Sequence, residues 1–388
     1  MESFQVALIV FGFFLFLYII RWIISKSPSE FIHKDGIQNE QTVEKDEEKA
    51  NFPQKKIILL RDFIGKKEIK EYIKLHLDFS LKNNKSFPHT ILYGMSGLGK
   101  STLAKIISNE MNSKLTEISP AQVSTGRQLL DVFLTKYCSN CLTANPYINL
   151  KCYFCKMDIS SNFQIETRIA SKDIIFLEEC HALSSDIEEA LYSAMQDYYI
   201  VSKSGGNFDK INLPEFTLIG ATTKLGLLNE PFRQRFILQI NLNPYTVEEL
   251  ALIIFKICKE QNIQIQNEVI VKIAEISFGT PRIAKAYLID LIAMADGQPI
   301  IYDYLKELFR LKHVDPELGL TKVHRKILSY MLNRKRGAGA RSLALNSGIT
   351  QTEYEEVIEP QLLQVNLIQM ADSGRILSEI GKQYINKE

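Results

Sequence analysis

Two short stretches carry residues whose types and spacing suit chemistry on a phosphate. The first, "GMSGLGKS", runs from Gly94 to Ser101, with Thr102 beside it, and follows the apolar run "TILY". Its spacing is G-x-x-x-x-G-K-[ST]. Gly94, Gly97 and Gly99 allow backbone N–H groups to turn inward around phosphate oxygens. Lys100 neutralises the β- and γ-phosphates, and the Ser101 hydroxyl can hold Mg²⁺. The second stretch, "IIFLEECHAL" (174–183), is an apolar strand pattern that ends in Glu178, Glu179, Cys180 and His181. After such a strand the first acid holds the Mg²⁺ shell, and the second orients or deprotonates an attacking water. Glu178 and Glu179 stand in those places, whereas the first acid is nearly always Asp. The extra methylene of Glu178 forces its carboxylate to fold back or to displace a water, so ATP hydrolysis is expected to be slowed or lost. The pair Cys180 and His181 leaves a second chemistry open, metal ligation.

The other cysteines bear on that choice. Of six in the chain, Cys138, Cys141, Cys152 and Cys155 form two C-x-x-C pairs, while Cys180 and Cys258 stand alone. A secreted disulfide framework spreads its cysteines differently, so the quartet points to a metal in a reducing compartment. Four thiolates on two turns can surround a tetrahedral Zn²⁺ at about 2.3 Å, in a closed set that is structural and not catalytic. With that set complete, Cys180 reads as a small apolar residue.

The elements that must position these residues follow from periodicity. "HTILYG", "KDIIFLEE" and "FTLIGATT" read as buried strands, and "STLAKIISNEM" and "DIEEALYSAMQD" read as helices between them. Alternation of this kind predicts a parallel α/β sheet. The stretch "GRQLLDVFLTKY" reads as a helix leading into the cysteine insert, and from about Tyr245 the periodicity is all helical. The last portion predicts helices closed by a short hairpin. The N-terminal run "VALIVFGFFLFLYIIRWII" is about as long as a bilayer core is thick, and Arg21 and Lys26 follow it. It predicts a single membrane anchor at 4–26 with the rest of the protein in the cytoplasm. A polar tether is expected at 27–56. The net charge of +1 over 388 residues excludes a global field for nucleic acid, so DNA contact would need local patches.

Several of these stretches occur in an order that resembles RuvB, the AAA+ motors that drive branch migration of Holliday junctions. They are "FIGKKEIKEYIK", "LYGMSGLGKSTLAKIISNEM", "LPEFTLIGATTKLGLLNEPFRQRF", "YTVEELA" and "GTPRIAKAYL". The tail, with "GLTKVHRKILSYML" and "EEVIEPQLLQVNLIQMADSGRI", is similar to that family's winged helix. The resemblance covers about 62–384 apart from one insertion. It implies an α/β P-loop core at 57–242, with a zinc-ribbon-like insert at about 136–168. A helical lid at 243–312 and a DNA-binding winged helix at 313–388 follow.

Roles carry over position by position. Thr223 takes the place of sensor 1, and Arg282 that of sensor 2 on the lid. Arg235 of the pair Arg233 and Arg235 becomes the finger that reaches a neighbour's ATP, which implies an oligomer, in this family a hexamer. Ile64 and Tyr245 would flank the adenine. His181 matches a family histidine. The hairpin "YIVSKSGGNFDKINLPEF" lacks the family's small and apolar pattern, so docking onto a RuvA-type partner is not carried over. Arg334, Lys335, Arg336, Arg341 and Arg375 are expected to meet DNA phosphates. The reading is a membrane-tethered DNA translocase or helicase using ATP, Mg²⁺ and Zn²⁺. Its rivals are an ATP-binding switch or scaffold with weak hydrolysis, and a clamp-loader-like remodeller.

Overall fold

The computed structural model describes residues 58–160, 163–204, 207–332, 334 and 336–387. Among them the strands of the first part are β1 (Thr90–Tyr93), β2 (Leu115–Ile118), β3 (Leu134–Cys138), β4 (Ala144–Pro146) and β5 (Phe163–Thr167). There follow β6 (Ile174–Leu177), β7 (Tyr199–Ser204), β8 (Asn207–Asn212), β9 (Thr217–Thr222) and β10 (Leu238–Asn241). Five of these make one parallel sheet in the order β10-β1-β9-β6-β2. Every residue of β6 and β9 is buried, as expected of central strands covered on both faces. The register pairs Tyr93 with Thr222 and Leu177 with Gly220. The residues that leave β1, β6 and β9 therefore emerge side by side along one edge, where open parallel sheets bind ligands.

The helices are α1 (Lys67–Lys82), α2 (Lys100–Glu110), α3 (Gly126–Phe133), α4 (Ser185–Asp197) and the one-turn α5 (Glu230–Arg233). The lid comprises α6 (Val247–Glu260), α7 (Asn267–Glu275), α8 (Pro281–Ala295) and α9 (Tyr302–Lys312). Thr246 and Glu249 close a reciprocal capping box at the start of α6, worth about 1 kcal/mol. Pro281 opens α8 with its backbone already in helical shape, which sets Arg282 in the first turn. The winged helix contains α10 (Lys322–Leu332), α11 (Ala340–Ser347), α12 (Glu359–Gln364) and the antiparallel pair β11 (Ile368–Ala371) and β12 (Gly374–Leu377).

One core joins the sheet to the lid through Leu92, Phe176, Tyr245 and Leu291. Another lies on the opposite face around Phe133, Phe216 and Phe236, and a third fills the winged helix around Ile327, Leu343 and Tyr354.

Two expectations need correction here. The helix expected through Tyr137 ends at Phe133, and Leu134–Cys138 continues as β3 between β4 and β5. Residues in β3 alternate between buried and half-buried, and two antiparallel partners outweigh the helical pattern. Among the helices expected in the last portion, one is interrupted: a π turn, Tyr354–Ile358, precedes α12. Pro360 has no N–H to return to the preceding turn, which accounts for the break.

The expected membrane anchor, 4–26, and tether, 27–56, lie outside the described residues. No helix among the described residues is long and apolar enough to cross a membrane. The longest, α1, has 16 residues against the roughly 20 that a bilayer requires.

Candidate active site

The phosphate loop is shaped by what its glycines approach. Gly94 has φ +137°, and a Cβ there would lie 2.3 Å from the Leu242 carbonyl oxygen. At Gly97, φ +83°, a Cβ would lie 2.7 Å from Cβ of Arg282, so the missing side chain lets the lid close on the loop. Lys100 is 7% exposed, and its ammonium donates to the carbonyls of Gly94 (2.7 Å) and Met95 (3.0 Å). Burial holds its pKa below the ordinary lysine range, opposed by the attraction of Glu179. A charged phosphate arriving at this nitrogen would restore the missing counter-charge.

The two acids differ in what they hold. Glu178 accepts a hydrogen bond from the Ser101 hydroxyl at 2.9 Å, so the extra methylene spans the gap between β6 and the loop. These two oxygens, both at the cleft surface, form a hard-donor pair suited to Mg²⁺. Glu179 takes a left-handed backbone, φ 43°, and its Oε2 accepts from the Thr223 amide and hydroxyl, each at 3.2 Å. His181 Nδ1 lies 2.9 Å from the Thr222 hydroxyl and 3.3 Å from the same Glu179 oxygen. Cys180 lies in the core, its thiol pushed up to about 12 by burial and by Glu179. It is no metal ligand.

Gly97, Gly99, Lys100, Ser101, Thr102, Glu178, Glu179 and Arg282 line one cleft of about 680 Å³. Arg282 donates to the Ser96 hydroxyl at 2.7 Å, closing the lid side. Sequence reasoning missed Lys285, which lines the same cleft one turn beyond Arg282. Its i+3 spacing was the available signal.

The remaining expected residues lie elsewhere. Tyr245 is buried behind the loop and donates to the Leu98 carbonyl at 3.3 Å, with the Lys66 ammonium 4.1 Å above its ring. Ile64 is half-buried nearby in sequence to Lys66 and, like Tyr245, does not line the cleft. Arg235 does not line it either. Its guanidinium lies 4.0 Å over the Tyr192 ring and bonds to the Tyr192 hydroxyl, on the α4 side.

In the insert, the sulfurs of Cys138, Cys141, Cys152 and Cys155 all lie within 4.8 Å of one another. Cys138 and Cys155 approach to 3.5 Å, and Cys141 and Cys152 to 3.6 Å. Tetrahedral zinc with bonds of about 2.3 Å separates its sulfurs by roughly 3.8 Å, so the donor set fits. Burial pushes the Cys152 thiol up, but hydrogen bonds from the Cys155 and Phe154 amides and from the Asn145 and Cys141 side chains together outweigh it and lower the thiol to about 6.

In the winged helix Arg334, Arg336 and Arg341 are exposed, and Lys335 is outside the described residues. Arg375 departs from expectation. It forms a two-pronged ion pair with the buried Glu359, which removes it from the set of free phosphate contacts.

A P-loop on a parallel sheet, paired acids at the adjoining strand, a helical lid and a C-terminal winged helix define an AAA+ ATPase. Residues 56–142 and 156–242 match the Holliday junction DNA helicase RuvB P-loop domain, and 317–386 match the RuvB C-terminal winged helix domain. The gap in the first match holds Cys152 and Cys155. The RuvB subunit of the Holliday junction branch migration complex from Prochlorococcus marinus (strain MIT 9515) is 33% identical, covering 84% of this chain and 86% of its own. That of Fervidobacterium nodosum is also 33% identical, over 84% and 87%.

The solved structure of the Thermotoga maritima RuvB branch migration motor superimposes with a TM-score of 0.68 at 28% identity, covering 85% of this chain and 97% of that one. The chain belongs to the RuvB family, and it is an ATP hydrolase. The matched proteins are named for work on DNA junctions. This overturns the expected membrane location.

Proposed function

We propose that this chain is a motor that couples ATP hydrolysis to branch migration of DNA junctions, working as a ring, in this family a hexamer. The observation that carries the reading is the convergence of Lys100, Ser101, Glu178, Glu179 and Arg282 on one cleft, in a chain that also ends in the family's winged helix. Ser101 and Glu178 are the residues that would hold Mg²⁺, which when bound supplies charge neutralisation between the β- and γ-phosphates. Lys100 and Arg282 take up phosphate charge from opposite sides of the cleft. Glu179 receives the proton of the attacking water, and Thr223 holds its carboxylate in place. Arg235 acts on a neighbouring subunit's ATP; its position away from its own cleft supports that assignment.

The Ser101–Glu178 contact favours turnover over the switch reading, because it brings the longer acid to the hydroxyl that Asp normally serves. The matched relatives favour the motor over a clamp-loader-like remodeller. They are named as subunits of a branch migration complex, which also supports a junction-binding partner of the RuvA kind, against the expectation drawn from the β7–β8 hairpin. The four cysteines hold a structural Zn²⁺, and Arg334, Arg336 and Arg341 meet DNA phosphates.

The test is steady-state ATP hydrolysis and strand exchange on a four-way DNA junction. Mg²⁺-dependent turnover stimulated by the junction is expected. No turnover by the wild type, and none gained by Glu178→Asp, would sink the motor.

A further inference from the structure

Lys224 follows Thr223 directly, yet the hydrolysis chemistry does not use it. Its ammonium lies 2.8 Å from Oε1 of Glu356, with the two side chains 29% and 27% exposed. Glu356 belongs to the π turn Tyr354–Ile358 of the winged helix, whereas Lys224 leaves the end of β9 in the ATPase core. The pair thus bridges two folding units that are far apart in sequence.

Each end of this bridge continues inward. On the core side, the Lys224 amide donates to the Thr222 hydroxyl at 2.9 Å, which also meets His181. Thr223, between them, donates twice to Glu179. On the winged-helix side, Glu359 begins α12 immediately after the π turn, and holds Arg375 of β12. Apolar contact joins the winged helix to the lid as well: the ring of Phe278 stacks on His324 at 6.0 Å, and Gly319 packs against the Ile276 carbonyl. Lid movement therefore carries the winged helix with it, and the Lys224–Glu356 pair is placed to sense that movement from the core.

A partly exposed ion pair contributes little by itself. That is too weak to fix a domain, but suits a contact that forms in one nucleotide state and opens in another. A π turn, whose extra residue can be absorbed or released, is a natural element to respond.

The geometry points to Lys224 as a positioning residue that couples the Glu179–Thr223 site to the winged helix, so that the state of the nucleotide sets how firmly the winged helix is held. This rests on the roles given above to Glu179 and Thr223. It acts through the ion pair with Glu356 and not through contact with the nucleotide.

The experiment is amide hydrogen exchange on the full chain, with and without Mg²⁺ and a non-hydrolysable ATP analogue, following residues 350–364. In the wild type the nucleotide changes exchange in this segment by roughly three- to tenfold. Lys224→Ala and Glu356→Ala each remove that response, and the reversed pair Lys224→Glu with Glu356→Lys restores it. Responses retained in both single variants, no restoration in the reversed pair, or no nucleotide effect in the wild type would each overturn the coupling. Junction-stimulated ATP turnover is measured on the same proteins. Its absence in the wild type counts against the DNA-motor reading, while the exchange result stands or falls independently.

Discussion

The nucleotide cleft and the cysteine sub-sheet solve the same problem, holding four or more polar groups in register, by opposite means. Lys100, Ser101, Glu178 and Thr223 sit at the ends of elements whose other faces belong to two large cores. Their geometry is set before any ligand arrives. The sub-sheet β4-β3-β5 rests Leu134 and Tyr147 on the second large core, but the cysteine knuckles beside it share a core of only Cys138, Cys152 and Ile159 and leave Leu142, Leu150, Tyr153 and Phe154 more than half exposed. So little buried surface orders the knuckles weakly, and the Zn²⁺ proposed for the four thiolates would supply the difference. One region is a scaffold shaped by its own cores; the other holds four thiolates that the proposed Zn²⁺ would tie together.

That contrast can be broken by experiment. The largest effect is expected for Lys100→Ala, which should lower ATP turnover by about 100- to 1,000-fold while leaving the zinc content unchanged, as read by hydrolysis assays and elemental analysis. In the opposite direction, Cys152→Ser or a strong chelator should remove one Zn²⁺ per chain and open residues 134–167 to proteolysis. Turnover at the cleft should then change by less than about threefold, since the sheet is held by its own core. A collapse of ATP hydrolysis on zinc removal would erase the distinction.

A third prediction sharpens the scaffold side. Burial lowers His89 to about 4, against a weaker pull from the Met195 carbonyl, and burial likewise lowers His324 to about 4. Both are therefore neutral in the fold, and their bonds to the Leu218 and Thr321 amides need that form. Between pH about 6.5 and about 4 the unfolded chain binds protons that the folded chain does not, so stability falls as pH drops through this window and is level above it. Each histidine contributes up to roughly 3 kcal/mol to that loss, measurable by urea unfolding at pH 7 and pH 4.5. The smallest effect is expected at Glu178→Asp. Since Glu178 already reaches Ser101, the shorter acid should alter kcat by only about threefold.

The chemistry-bearing stretches were legible because each is local. The phosphate loop, the acids after β6 and the four cysteines are defined by spacings of a few residues, and short spacings survive whatever the rest of the chain does. Long-range partnerships were less visible. Arg375 reads as a free phosphate contact until Glu359 appears beside it, and the stretch after Phe133 reads as helix until β4 and β5 supply strand partners. Tyr192 gave no sign that it carries the Arg235 guanidinium. In these cases the deciding group comes from another element, and periodicity carries no record of it.

The sequence by itself determined the candidate ligand chemistry: a nucleoside triphosphate with Mg²⁺ at one place, a set of four thiolates suited to a metal at another, and the order of core, lid and winged helix. Only the tertiary structure decided which charges remain available. It committed Arg375 to an internal pair, joined Lys224 to the winged helix, and brought the longer carboxylate of Glu178 to Ser101. The physical reason is that residue type and spacing set what a group can bind. Whether it is already bound depends on neighbours within a few ångströms, and only folding brings those together.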